Sequence, residues 1–171
     1  YAVVPPSTAN AAPVTNEDGY AAVLELEGGV ASLTASRCAA GCKGRQEIQV
    51  FGDSGTCTWD MEDLNRLELY VGDAASPVDG FRSVHVTDPG FELLGDWWGA
   101  GHSLGWEHAL IHMWRAFLCQ VADPTDVSPS LATFEDGWRA AVITDAIKQA
   151  AAARSTVLVP RAETFAGAGT A

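Results

Sequence analysis

The chain has 171 residues, of which 47% are hydrophobic and 19% charged, a composition that builds a core and excludes a disordered chain. Its formal net charge of -12 repels phosphate, so nucleic acid and anionic membrane surfaces are not expected partners. No apolar run approaches the ~20 residues that a bilayer-spanning helix needs.

The opening segment Tyr1–Pro6 lacks the basic start and apolar stretch of a signal peptide, and it has no initiator Met. A processed N-terminus with further chain upstream is expected. Residues 1–16 are rich in Pro and Ala and read as an extended lead-in to a single domain. Strand patterns follow. Tyr20, Ala22, Leu24 and Leu26 alternate along 20–27, Gly28-Gly29 is a hairpin signal, and 30–37 returns with Leu33 and Ala35 opposite Ser32, Thr34 and Ser36. Residues 46–51 form the next strand, Gly52-Asp53-Ser54-Gly55 is a tight turn, and 56–60 comes back with Cys57 and Trp59 on one face. Leu67, Leu69 and Val71 mark another strand, and 81–86 a further one. Short strands joined by tight turns predict an antiparallel meander.

Residues 88–104 are irregular and rich in Gly and Trp. A helix follows, because Trp106, Leu110, Met113, Trp114, Phe117, Leu118 and Val121 make one apolar stripe, expected to be buried. A second helix starts at Thr133, with Asp136 at capping-box spacing and Trp138, Val142, Ala146 and Ala150 as its buried face. Residues 155–159 predict a last short strand before Pro160, and 161–171 a loose tail. The fold class is therefore α+β: a predominantly antiparallel open sheet with two C-terminal helices packed on one face.

Several residue groups invite a functional reading. Gly99-Ala100-Gly101-His102-Ser103-Leu104-Gly105 looks like a dinucleotide loop, but its last Gly is one residue late and no βαβ unit surrounds it. His108 and His112 have the i, i+4 spacing of metal ligands. Cys119 lies roughly 10 Å farther along the helix, too far to share an ion. These three oppose the apolar stripe, so a solvated or partner-facing surface is expected and no metal. Cys38, Cys42, Cys57 and Cys119 are expected as reduced thiols in a cytoplasmic protein. Trp59, Trp114 and Trp138 sit at apolar positions and are expected in the core. Trp97 and Trp98 lie in the irregular segment, where a ring can be exposed, and Trp106 stands at the helix entry. Ser32, Thr34, Ser36, Gln49, Thr56 and Thr58 form a small, neutral face that suits either sheet-on-sheet contact or water.

Five segments occur together and in order: DGYAAVLELEGGVASLTASR from Asp18 to Arg37, RQEIQVFGDSGTCTWD from Arg45 to Asp60, NRLELYVG from Asn65 to Gly72, GHSLGWEH from Gly101 to His108, and FEDGWRAAVITDAIKQAAAA from Phe134 to Ala153. Over about residues 14–159 this resembles the C-terminal domain of the glucose–fructose oxidoreductase, inositol dehydrogenase and rhizopine catabolism (Gfo/Idh/MocA) family. The resemblance implies the substrate-binding and oligomerisation domain of a dehydrogenase acting on a sugar, inositol or related polyol. It implies NAD or NADP bound by an N-terminal Rossmann domain absent from this chain. The small, neutral sheet face, read as a contact surface, leads separately to the expectation of a homodimer or homotetramer formed through it. The family's Glu-Lys-Pro and Asp-x-x-x-His motifs are missing, so no catalytic residue is expected here. The same resemblance puts substrate contacts in Trp98–Trp106. His102 matches the His of the family's Gly-His-x-x-Gly-aromatic motif, and Trp98 and Trp106 offer rings for stacking on a sugar. The alternative for Gly101-His102 is that it only shapes the turn into the helix. Two further readings stand: a stand-alone assembly domain of the same fold, and a carbohydrate-binding module using exposed Trp.

Overall fold

The computed structural model describes residues 15–72, 77–125 and 131–160. Eight regular elements follow in chain order: β1 (Gly19–Leu26), β2 (Gly29–Ser36), β3 (Glu47–Gly52), β4 (Gly55–Asp60), β5 (Arg66–Val71), β6 (Arg82–His85), α1 (Trp106–Ala122) and α2 (Phe134–Ala153). A short 3-10 turn, Met61–Asp63, leads from β4 toward β5. The fold is α+β and antiparallel, as expected, with its strands divided between two sheets, β1-β2 and β3-β4-β5-β6. The chain forms two compact units, one made of residues to Ala40 and from Ala132, the other of Gly41–Leu131. The lead-in to residue 14 and the tail 161–171 lie outside the described residues.

In the first unit, β1 and β2 pair from Gly19↔Ser36 to Leu26↔Gly29. The connecting turn is therefore Glu27-Gly28, one residue earlier than the Gly-Gly signal suggests. The pleat puts Ala22 and Leu24 with Leu33 and Ala31 on one face, where all are half-buried. Ser32, Thr34 and Ser36 line the opposite, exposed face. Helix α2 packs through the expected stripe: Ala146 is buried and Trp138, Val142 and Ala150 are half-buried. Its start is fixed by a capping box. The Asp136 carboxylate accepts the Thr133 backbone N–H at 2.8 Å, and the Asp136 N–H donates to Thr133 Oγ1 at 3.3 Å. The Thr133 N–H, and then the Thr133 hydroxyl donating at 2.7 Å, hold the Asp136 carboxyl below the usual carboxylate range. The helix ends with Arg154 in the left-handed region, φ 51°. The strand expected at 155–159 does not form, since residues 156–160 have no regular structure. Val157, Leu158 and Val159 follow one another there, and among the described residues no partner strand pairs with them.

In the second unit, register places Ile48, Val50, Cys57, Trp59, Leu67, Leu69 and Val84 on one face of the meander. Gln49, Thr56, Thr58, Glu68 and Ser83 share the other. Gly55 is obligatory at the start of β4: a Cβ there would lie 2.3 Å from the Tyr70 carbonyl oxygen on β5. Arg45 closes the far end of the β3–β4 hairpin, pairing with Glu47 and, at 3.3 Å, with Asp60.

Helix α1 inverts the expected burial. Its apolar stripe is exposed, with Trp114 at 58% and Leu118 at 61%. The inward face carries His108, His112, Ala116 and Cys119, of which Ala116 is 3% exposed and the other three half-buried. Trp114 is thus not a core residue, and the two histidines and Cys119 are not freely solvated. Periodicity identifies an apolar face, but the neighbours available inside this chain meet the small and polar one. Trp59 is half-buried and donates its indole N–H to the Leu64 carbonyl at 3.2 Å.

Replacing Thr133 by Ala removes the side-chain cap of α2 and should cost about 1 kcal/mol. Urea titration of the purified chain followed by far-UV circular dichroism measures this, and an unchanged midpoint would show that the cap contributes nothing.

Candidate functional site around the Trp97–Trp106 segment

The segment that leads into α1 belongs to the Gly41–Leu131 unit. It begins as a run of tight turns, with Phe91 N–H donating to Asp88 O, Leu94 to Phe91 and Trp97 to Leu94. Leu93 sits at φ 68°. Such a backbone bonds to itself and needs side chains to tie it to the sheet and helix.

Asn65, at the entrance to β5, supplies one tie. Its Nδ2–H donates to Leu104 O and its Oδ1 accepts Leu104 N–H, both at 2.9 Å and across 39 residues of sequence. The Asn65 backbone carbonyl also accepts the Val86 N–H at 2.9 Å. One residue thereby joins β5, the exit of β6 and the approach to α1. Beside it, Thr87 is buried at 5% exposure, with its hydroxyl 2.7 Å from His85 Nδ1.

The second tie is aromatic. The Trp97 indole N–H donates to Nε2 of His112, and the Trp97 ring meets His108 edge-on at 4.6 Å between centroids. His108 Nδ1 accepts the Gly105 N–H at 3.1 Å, capping α1 from its own first turn. Asp96 pairs with Arg115 at 3.7 Å. Burial pushes the His112 imidazole below the usual histidine value, and the neighbouring charges of His108 and Arg115 push it the same way. A cavity of about 140 Å3 lies among these groups, lined by Asn65, Thr87, Leu94, Leu104, His108 and His112 with their neighbours.

The residues expected to touch substrate lie in the same segment and at the first residue of α1. Trp98 is 61% exposed and Trp106 55%. His102 is exposed and closes a turn with Gly99: its backbone N–H reaches Gly99 O at 3.3 Å, and its Nδ1 lies 2.8 Å from the same oxygen. A carbonyl only accepts, so Nδ1 carries the proton and, in the neutral ring, Nε2 remains an acceptor. Gly101, at φ +82°, permits the turn. Among the described residues no hydrogen bond or ring contact joins Trp98, His102 and Trp106 to one another. Sequence reasoning missed Asn65, Trp97 and the inward role of His108 and His112. The i, i+4 spacing flagged the two histidines, while nothing local marks Asn65, whose partner is distant in sequence.

The same geometry tests for a cofactor. The glycines ahead of α1 do not fit a dinucleotide: no strand runs into them, and the Gly105 N–H at the helix start is taken by His108. His108 Nδ1 and His112 Nε2 are both engaged, and among the described residues no three His, Cys, Asp or Glu side chains are grouped to hold an ion. No helix among the described residues is long and apolar enough to cross a membrane.

The model of the C-terminal alpha/beta domain of the Gfo/Idh/MocA oxidoreductase family matches residues 2–159. The chain belongs to this family. It is 32% identical over 152 residues to levoglucosan dehydrogenase of Pseudarthrobacter phenanthrenivorans, a match covering 87% of this chain and 38% of that protein. A solved oxidoreductase domain protein from Kribbella flavida superposes with a TM-score of 0.80 at 28% identity, covering 88% of this chain and 38% of the other. Levoglucosan dehydrogenase in complex with NADH and L-sorbose gives 0.78 at 28% identity, over 88% and 40%. Its complex with NADH and levoglucosan gives 0.77 at 28%, over 86% and 39%. The chain therefore spans about two fifths of the length of these relatives.

Asn65→Ala removes two backbone partners from a half-buried site and should destabilise the Gly41–Leu131 unit by roughly 1–3 kcal/mol. Amide exchange at Leu104 and Gly105 should accelerate with it. Unaltered exchange there would show that the carboxamide is not what holds the segment.

Proposed function

We propose that this chain is the substrate-side and oligomerisation domain of an NAD(P)-dependent dehydrogenase acting on a sugar or related polyol, working in the cytoplasm. The observation that carries this is likeness over nearly the whole chain to levoglucosan dehydrogenase, whose solved complexes hold NADH with levoglucosan or L-sorbose. The glycines of this chain do not fit a nicotinamide dinucleotide, so the cofactor belongs to a nucleotide-binding domain outside these residues, and no hydride step is assigned to side chains here. The contribution of this chain is to bind and orient. An exposed Trp98 or Trp106 face covers the apolar side of a pyranose ring. The Nε2 of His102 accepts a hydrogen bond from a sugar hydroxyl, its tautomer set by the Gly99 carbonyl.

In the full-length dehydrogenase, His102→Ala should lower kcat/KM for levoglucosan by about 1–3 kcal/mol, the scale of an unpaired hydroxyl in a closed site. Equal kinetics in a folded variant would remove His102 from the set of ligand residues.

Self-association belongs to the same reading. Of the neutral face expected from sequence, Gln49, Thr56 and Thr58 lie in the β3-β4-β5-β6 sheet and not beside β2. Ser32, Thr34 and Ser36 present an exposed, uncharged strip on β2 in a chain of net charge -12, and small side chains allow sheets to approach to about 10 Å. A second copy seated there makes a two-fold dimer, with a tetramer as the next closed form. Thr34→Arg places an unpaired charge in that contact. Light scattering at micromolar concentration should then report a lower mass than wild type, with the far-UV spectrum retained. A wild-type protein that is already monomeric, or a variant of undiminished mass, would leave the strip as ordinary wetted surface.

A further inference from the structure

We propose that His112 is a positioning residue: by accepting the Trp97 indole N–H it fixes the segment from Leu94 to Gly105, and so sets where Trp98 and His102 meet the sugar. The proposal rests on the sugar-binding reading of those two residues. Trp97 and Trp98 are adjacent, yet Trp97 is half-buried against α1 while Trp98 is exposed. Turning one indole inward fixes the backbone that turns the next one outward. The inward ring is held on two sides, by the hydrogen bond to His112 and by the edge contact with His108. His108 in turn grips Gly105, and Asn65 grips Leu104, so the far end of the segment is tied as well. The preceding backbone bonds, Leu94 to Phe91 and Trp97 to Leu94, are local turns and do not anchor it to the helix.

An indole N–H only donates, so His112 can hold it only through an unprotonated Nε2. A proton on that nitrogen turns the acceptor into a second donor and breaks the grip. Burial disfavours the imidazolium most, and the charges of His108 and Arg115, both on α1, act the same way. Arg115 is itself paired with Asp96 of the segment. The folded-state value of His112 lies below its ordinary 6.5. The native state thus binds fewer protons than the unfolded chain just below that pH, and the contribution of this contact is complete above it and lost as pH falls through the folded-state value.

The test combines hydrogen exchange on the chain with sugar kinetics in the dehydrogenase that carries it, using levoglucosan as the probe. In wild type, amides of residues 94–105 should lose protection as pH falls from about 7.5 to 5. Trp97→Phe keeps an aromatic ring but has no N–H. It should exchange about fivefold to tenfold faster at neutral pH, as expected for one lost hydrogen bond, show no further pH step, and raise KM by a similar factor with kcat little changed. His112→Gln retains an acceptor that does not titrate, so it should keep neutral-pH protection and KM while losing the pH step. If the amides of 94–105 respond neither to pH nor to Trp97→Phe, the positioning role is overturned. If their exchange responds but KM for levoglucosan does not, the grip is real and the sugar assignment of Trp98 and His102 fails.

Discussion

A single carboxamide makes the approach to α1 part of the sheet. Asn65 offers both of its amide atoms to the backbone of Leu104, the pairing that a neighbouring strand would provide. Its own carbonyl accepts from Val86 where β6 ends. Without that clamp the turns between Asp88 and Gly105 would bond chiefly to themselves, and the first residue of α1 would have no fixed origin. Trp97, His108 and His112 then hold the middle of the segment against the helix, and Trp98 follows Trp97 directly in the chain.

The polarity of α1 is the counterpart of this arrangement. Buried Ala116 lets the helix come close to its neighbours, and half-buried His108 and His112 satisfy polar groups of the loop. The broad stripe from Trp106 to Val121 is left exposed. Among the described hydrophobic residues only Ala116 and Ala146 are buried, one on each helix. A chain of 171 residues with 47% hydrophobic content ordinarily buries much more. Its remaining apolar residues, Trp114 and Leu118 among them, stay exposed within this chain.

The strand pattern and the helix boundaries were legible because they are local. Alternation from Tyr20 to Leu26, the Gly52–Gly55 turn and the Thr133–Asp136 box each record a short-range constraint, and each appears as written. The 155–159 segment, with Val157, Leu158 and Val159 in a row, forms no strand, since a strand requires a partner and apolar residues alone do not supply one. The exposed rings of Trp98 and Trp106 were readable from an irregular, Gly-rich segment. The inward turn of Trp97 was not, because adjacent identical residues carry no information about which one faces the helix.

What the sequence by itself determined, then, is the elements from β1 to α2, the antiparallel pairing of neighbouring strands and the family likeness carried by motifs in fixed order, but not the strand expected at 155–159. What only the tertiary structure decided is which face of α1 meets its own unit, and how the loop before it is held. The physical reason is separation along the chain. Asn65 and Leu104 are 39 residues apart, and Trp97 and His112 are 15 apart. No periodicity or propensity acts over such distances. Only close packing of specific side chains brings a carboxamide to a backbone or an indole to an imidazole, and that packing exists once the chain has folded.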